Sequence, residues 1–345
     1  MRESSFELIR LLAMWMIVVY HQYLHHIQPA FDTPFNKAIW IPFHIGVPLF
    51  LFISGYWEIK ISGKSFFRLW GMLAVYSIPM LLIYRHLTGM GGVKSIVFFI
   101  SNSDFWFLRT YICLYLISPI INSYLVTASK SQYLFILIAL GIISVYIGSL
   151  TDVDSSLKIG KNLTNFMFCY VVGNAVRRYE KMWRRIPVWQ LISVFILYNA
   201  FVVAFYCILE GKGLAAKIYP YVFCYNSPGL IFSALLFFMI VLHWQFKSKV
   251  INWLASSALA IYLIHESRLV ETYILGPISL SIRTNLGNDL LSLTAIGLFA
   301  IGICVICIFV DKLLAPIWKW FGQIGECSER KIKTYLLPYI NKRAL

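Results

Sequence analysis

Apolar runs of about twenty residues recur along nearly the whole chain, and this recurrence leaves few folds open. Lipid offers no water to the backbone N–H and C=O groups, so a run of that length crosses a bilayer as a helix. Ten such windows are read, at residues 6–26, 38–57, 66–84, 105–126, 132–150, 163–180, 188–209, 227–246, 252–274 and 289–315. They predict an all-α, polytopic membrane bundle of about ten transmembrane helices. Only 13% of residues are charged, about half the share of a soluble domain. Phe31–Pro34 and Gly89–Gly92 read as turn-forming breaks, and Val93–Ile100 is too short to span and is expected in the interface.

A net charge of +15 could suggest a nucleic-acid partner, but the basic residues are scattered between apolar runs, as topology signals are. An even number of spans puts both ends on one side. Nineteen Lys and Arg fall in the segments on that side and eight on the other, with Arg10, Arg109 and Arg268 in or at the ends of spans. Both termini are therefore expected in the cytoplasm. Residues 1–317 read as the transmembrane domain, and 318–345 as a basic, aromatic cytoplasmic tail resting on the inner leaflet. The first run holds charges and lacks a small-residue cleavage site, so no cleavable signal is expected. Cys304 and Cys307 form a C-x-x-C inside an apolar run with no second pair, which points away from metal or redox work.

The first run carries Glu7, Arg10 and His21. Eleven residues of helix return the chain to within roughly 20° of its starting direction, so Arg10 and His21 share a face about 16 Å apart along the axis. Glu7 lies one turn before Arg10. Ionisable groups in a membrane helix are expensive, and their default reading is functional; the plain alternative is a pair of interfacial residues that snorkel and a histidine at the far interface. His44 in the second run is expected at the depth of His21, where two imidazoles can supply a base and an orienting partner. Pro48 is expected to kink that helix beside a cavity, and Ser54 and Gly55 to allow close packing. Arg109, one turn into the fourth run, is expected to be buried and to need a carboxylate or a substrate oxygen; Trp106 beside it also fits an aromatic belt. His265, Glu266 and Arg268 fall near the outer end of a late run. Adjacent helical residues point about 100° apart, so His265 and Glu266 are not expected to pair. Arg177, Arg178, Lys64 and Arg68 belong to a basic cytoplasmic cluster that topology alone explains, or that reads as an anion site for a nucleotide donor such as coenzyme A. No P-loop, Rossmann fingerprint, serine elbow or metal-ligand helix pair is present in the sequence.

Taken together, these residues resemble acyltransferase family 3. The first helix of that family carries an acidic residue, then Arg, ten residues, then His, as Glu7, Arg10 and His21 do here. Pro48-Leu-Phe-Leu-Phe-Ile-Ser-Gly55 matches its Phe-rich Ser-Gly stretch, and Trp106-Phe-Leu, Tyr115, Pro119, Gly173 and Ile261-Tyr-Leu-Ile-His265 follow in order. Many members have Asp where this chain has Pro48; the Pro form resembles the branch containing the enterobacterial common antigen O-acetyltransferase. The resemblance implies acyl transfer, usually acetyl, from cytoplasmic acyl-CoA as co-substrate to a sugar hydroxyl of a cell-surface polysaccharide or its lipid-linked precursor. It implies a multi-pass protein of the bacterial plasma membrane, His21 as catalytic residue, as general base or acyl carrier, and Arg10 as its essential partner, with Glu7 beside it. His44, Trp106, Ser54, Arg109, His265 and Glu266 are then candidates for the acceptor, and Lys64, Arg68, Arg177 and Arg178 for the donor. Members often carry Arg-x-x-Arg after the second helix, where this chain reads Lys64-Ser-Phe-Phe-Arg68. A transporter or flippase for a glycan or small anion fits the bundle and the polar stripe as well; inverted repeats would favour it, and no matching halves stand out.

Overall fold

The computed structural model describes residues 3–31, 33–90, 105–151 and 156–336. The expected interfacial segment Val93–Ile100 lies outside the described residues. Every regular element among the described residues is a helix. Helix α1 (Ser4–His21) runs on through a π-helical stretch, Gln22–Ile27, to Ala30. Next come α2 (Gly46–Trp57), α3 (Gly63–Thr88), α4 (Trp106–Thr127) and α5 (Lys130–Gly141), the last prolonged by π-helical turns to Leu150. α6 (Leu163–Arg178), α7 (Val188–Gly211) and α8 (Pro228–Leu242) follow. The chain closes with α9 (Lys249–Ala255), α10 (Ala258–His265), α11 (Gly276–Leu286), α12 (Asp289–Leu313) and α13 (Ala315–Lys331).

Seven helical stretches among the described residues are long and apolar enough to cross a membrane, those of α1 to α5, α7 and α12. The other three expected windows are shorter or broken. α6 has 16 residues and α8 has 15, about 22–24 Å of helix against a hydrocarbon core of ~30 Å. Residues 252–274 are interrupted at Ser256–Ser257 and again after His265.

α1 and α2 form the centre. Their apolar windows are 72% buried, against 17–33% for the other five, whose exposed apolar side chains suit lipid. Helices in lipid gain no hydrophobic attraction for one another, so close approach depends on small residues. A Cβ at Gly46 would lie 2.6 Å from the Ala13 carbonyl of α1. A Cβ at Gly55 would overlap the Tyr170 carbonyl of α6, and one at Gly173 the Phe52 carbonyl of α2. α2 is thus wedged between α1 and α6. Pro48 lies just inside its start. The chain enters α2 through a tighter 3-10 stretch, Ile41–Ile45, so Pro48 falls in the first turn, where its missing N–H would have had no intrahelical partner.

One buried carboxylate ties four elements at the end that carries Ser4. Asp311 of α12 accepts from Tyr76 of α3 at 3.0 Å, from Ser257 at the start of α10 at 2.7 Å, and from Trp318 of α13 at 2.9 Å. The segment that composition sets apart as a tail packs along α3: Gly325 meets Gly63 backbone to backbone, Phe321 fills the space over Gly71, and Glu329 accepts the Gly63 N–H at 2.8 Å.

Candidate functional site

The polar stripe of α1 faces a cavity of about 560 Å³, within the size range of small-molecule sites. Glu7, Arg10, Met14, Ile17 and His21 line it in turn, at the three-and-four spacing of one helix face. At one end the first turns of α3 contribute Lys64, Ser65 and Arg68 to the wall. At the other end stand Trp106 of α4, Tyr225 from the turn before α8, and Tyr262 of α10. Ser54 of α2 also lines it; its hydroxyl donates to the Phe50 carbonyl at 2.8 Å and lies 3.1 Å from the Tyr111 hydroxyl. The Arg10 guanidinium pairs with Glu7 at 2.6 Å, Glu7 buried and Arg10 partly open to the cavity. Lys64 in turn pairs with Glu326 of α13 at 2.7 Å, so with Arg10 held by Glu7 it is Arg68 that leaves this end positive.

At the other end three groups meet. His21 Nδ1 lies 2.6 Å from Glu266 Oε2 and 3.1 Å from His265 Nε2. His265 Nδ1 lies 2.6 Å from the Ile261 carbonyl. A carbonyl only accepts, so His265 carries its proton on Nδ1 and turns the Nε2 lone pair to His21. His21 Nδ1 then faces two acceptors and must be the donor, which leaves Nε2 of a neutral His21 as the basic nitrogen. An imidazole oriented by a carboxylate in this way is able to act as a general base. The three ligand atoms lie within 4.8 Å of one another, a set able to hold a metal ion. The geometry fits a hydrogen bond better: ligands ~2.0–2.1 Å from a tetrahedral ion stand roughly 3.3 Å apart, whereas the His21–Glu266 contact is 2.6 Å.

His265, the last residue of α10, and Glu266 after it both reach His21 Nδ1, although adjacent helical residues diverge. Glu266 is the cap of α10 at φ −82°, ψ −5°, and Ser267 is extended. His44 is not the orienting partner of His21. It is buried in a box of Tyr20, Tyr225 and Trp40, with ring centroids at 4.5, 4.3 and 5.7 Å, and neither ring nitrogen has a hydrogen-bond partner among the described residues. Arg109 is exposed and does not line the cavity, in contrast to the buried guanidinium expected. Arg177 and Arg178 stand apart from Lys64 and Arg68. Arg177 donates to the Tyr56 carbonyl and lies 3.5 Å from Glu58. Arg178 donates to the last carbonyls of α4 and covers the Tyr133 ring.

Sequence reasoning missed Tyr111 and Tyr225 of the cavity wall, and Lys161, whose ammonium stands 4.9 Å from the centroid of the Trp106 ring. Tyr111 lies one turn beyond Phe107 on the Ser54 side of α4, a face that periodicity could have marked. Tyr225 and Lys161 lie in turns, where no period exists to read.

Comparison with curated proteins and with solved structures finds no match in either. The family model described as an acyltransferase domain matches residues 3–310, a stretch that contains α1 to α11, the cavity, and both the Arg10–Glu7 pair and the His21–Glu266–His265 group. The chain therefore belongs to acyltransferase family 3 and is a multi-pass membrane acyltransferase.

Proposed function

We propose that the protein is an O-acyltransferase, with acetyl as its group, working in the bacterial plasma membrane. It would move the group from cytoplasmic acyl-CoA to a sugar hydroxyl of a cell-surface polysaccharide or its lipid-linked precursor. The observation that carries this reading is one cavity that has Lys64, Arg68 and Arg10 at one end and an oriented histidine at the other. A polyanionic nucleotide suits the first end; a hydroxyl to be deprotonated suits the second. The Lys and Arg bias puts the basic end in the cytoplasm, so the acyl end of the donor would point outward along α1.

In this mechanism His21 Nε2 takes the proton of the acceptor hydroxyl as its oxygen attacks the thioester carbonyl. The developing imidazolium is held by Glu266 through Nδ1–H. The tetrahedral centre then expels the thiolate, which takes the proton back from His21. Arg10, about 16 Å along the helix from His21, is too distant to touch that carbonyl, so its part is to grip the donor. A transient acyl group on His21 would use the same nitrogen; label on a His21 peptide after mixing with labelled acetyl-CoA and no acceptor would mark that route.

The test is transfer of label from acetyl-CoA to the glycan fraction of membranes, with purified protein in lipid nanodiscs. Wild type should transfer and His21→Ala at matched amounts should not. Equal transfer by both would overturn the assignment of His21.

A further inference from the structure

Beside the His21 end of the cavity, over a ring that lines it, stands a cation that charge counting places merely in an outer segment. Residues 158–160 form a tight turn in which Ile159 adopts φ 69° and Gly160 φ 73°. A β-branched residue in the left-handed region is a genuine outlier, held only where its surroundings over-determine it. Here they do. The Ile159 carbonyl accepts from Tyr225 N at 2.9 Å, the Gly160 carbonyl from Asn165 Nδ2 at 3.0 Å, and the Leu157 carbonyl from Asn226 Nδ2 at 3.0 Å. A Cβ at Gly160 would lie 2.6 Å from Asn226 N. The turn is therefore anchored to the segment that supplies Tyr225 to the cavity wall.

The residue this turn delivers is Lys161. Its ammonium stands 4.9 Å from the centroid of the Trp106 ring, and Trp106 lines the cavity with His21. Glu266 and His21 both lie within its electrostatic reach. Its near neighbour is the ring face, and no carboxylate among the described residues pairs with it at salt-bridge distance; Glu266 gives its Oε2 to His21, and Glu271 stands near His25 and His26. Lys161 is exposed. A cation meant for the buried tetrahedral centre would be enclosed with it, whereas an exposed one over an aromatic ring of the cavity wall is placed to meet an acceptor that approaches from that side.

We infer that Lys161 selects acceptors bearing an anionic group, a carboxylate or a phosphate, near the hydroxyl that is acylated. This rests on the acyl-transfer reading above and names its substrate class. Lys161 is a specificity residue that contacts the acceptor's charge and leaves the donor end untouched.

The experiment uses the full chain in nanodiscs and three glycolipid probes that share one neutral disaccharide: unmodified, bearing a uronic acid, and bearing a sugar phosphate. Amine labelling of Lys161, read by mass spectrometry, reports occupancy without any turnover. Protection of at least fivefold by the carboxylate or the phosphate probe, and not by the neutral one, is expected, and the arm that protects identifies the anion. In acetyl transfer, Lys161→Gln should raise KM for the protecting probe at least tenfold with kcat and the acetyl-CoA KM unchanged, and Lys161→Arg should restore it. Equal protection by neutral and anionic probes, or none by any, would overturn the inference. Protection without acetyl transfer would leave the selector intact and count against the acyl-transfer reading.

Discussion

Glu266→Gln isolates the electrostatic part of the His21 arrangement, because glutamine keeps the shape and one acceptor but loses the charge. In wild type, Nδ1 of His21 is 2.6 Å from the Glu266 carboxylate, which puts the two charge centres about 4 Å apart once the imidazolium forms. At an effective dielectric constant of ~20 such a pair is worth about 4 kcal/mol, or roughly 1000-fold in rate at ~1.4 kcal/mol per decade. The glutamine oxygen still orients the ring and recovers part of this, so a fall in kcat of between about 100- and 1000-fold is expected. The KM for acetyl-CoA should not move, since Lys64 and Arg68 lie at the other end of the cavity. The assay is initial-rate acetyl transfer in nanodiscs at saturating acceptor, with the donor concentration varied. Activity within threefold of wild type would show that Glu266 neither orients nor charges His21. A rise in donor KM with kcat preserved would place Glu266 in the wrong half of the cavity.

Arg10→Lys keeps the charge and loses the planar fork; at ~16 Å from His21 it should raise the acetyl-CoA KM tenfold or more, and kinetics matching wild type would reduce Arg10 to a charge anchor. Gly55→Ala forces a methyl into the Tyr170 carbonyl, and such overpacking costs about 1–3 kcal/mol or more; melting in detergent should shift down clearly, and an unchanged melt would contradict the α2–α6 crossing. The Glu329 carboxyl is held below its ordinary range by its bond to Lys333 and by the Gly63 N–H. A depressed carboxylate stabilises above its unfolded pKa and loses that contribution as pH falls through the folded one. A spin label on Cys327 of α13, in a background without other cysteines, should therefore gain mobility only as the pH falls below the ordinary carboxylate range, and Glu329→Gln should remove that dependence.

Much of the site is legible along one helix and little of it between helices. The α1 stripe follows from 3.6-residue geometry, and Glu7, Arg10 and His21 do line one cavity. The partner of His21 could not be read the same way. His44 has the right depth and the wrong surroundings, an aromatic box. His265 and Glu266 point apart on an ideal helix, yet both side chains reach the one nitrogen of His21, a meeting that depends on where α1 lies and not on the spacing of the two residues. The basic cluster likewise divides: Lys64 and Arg68 reach the cavity, while Arg177 and Arg178 are committed to carbonyls.

The sequence by itself determined the helical class and the stripe, because hydropathy and helical periodicity are local properties that each segment carries alone. It also carried the ordered motifs that mark the family. Tertiary structure decided which windows are unbroken helices long enough to span, which face of α2 is wedged between α1 and α6, and which distant residue accepts the Nδ1–H hydrogen bond of His21. Those outcomes rest on how closely backbones approach at Gly46, Gly55 and Gly173, and on where α10 lies against α1. His21 and Glu266 lie 245 positions apart in the chain, and only the packing of α10 against α1 brings the carboxylate within 2.6 Å of the imidazole.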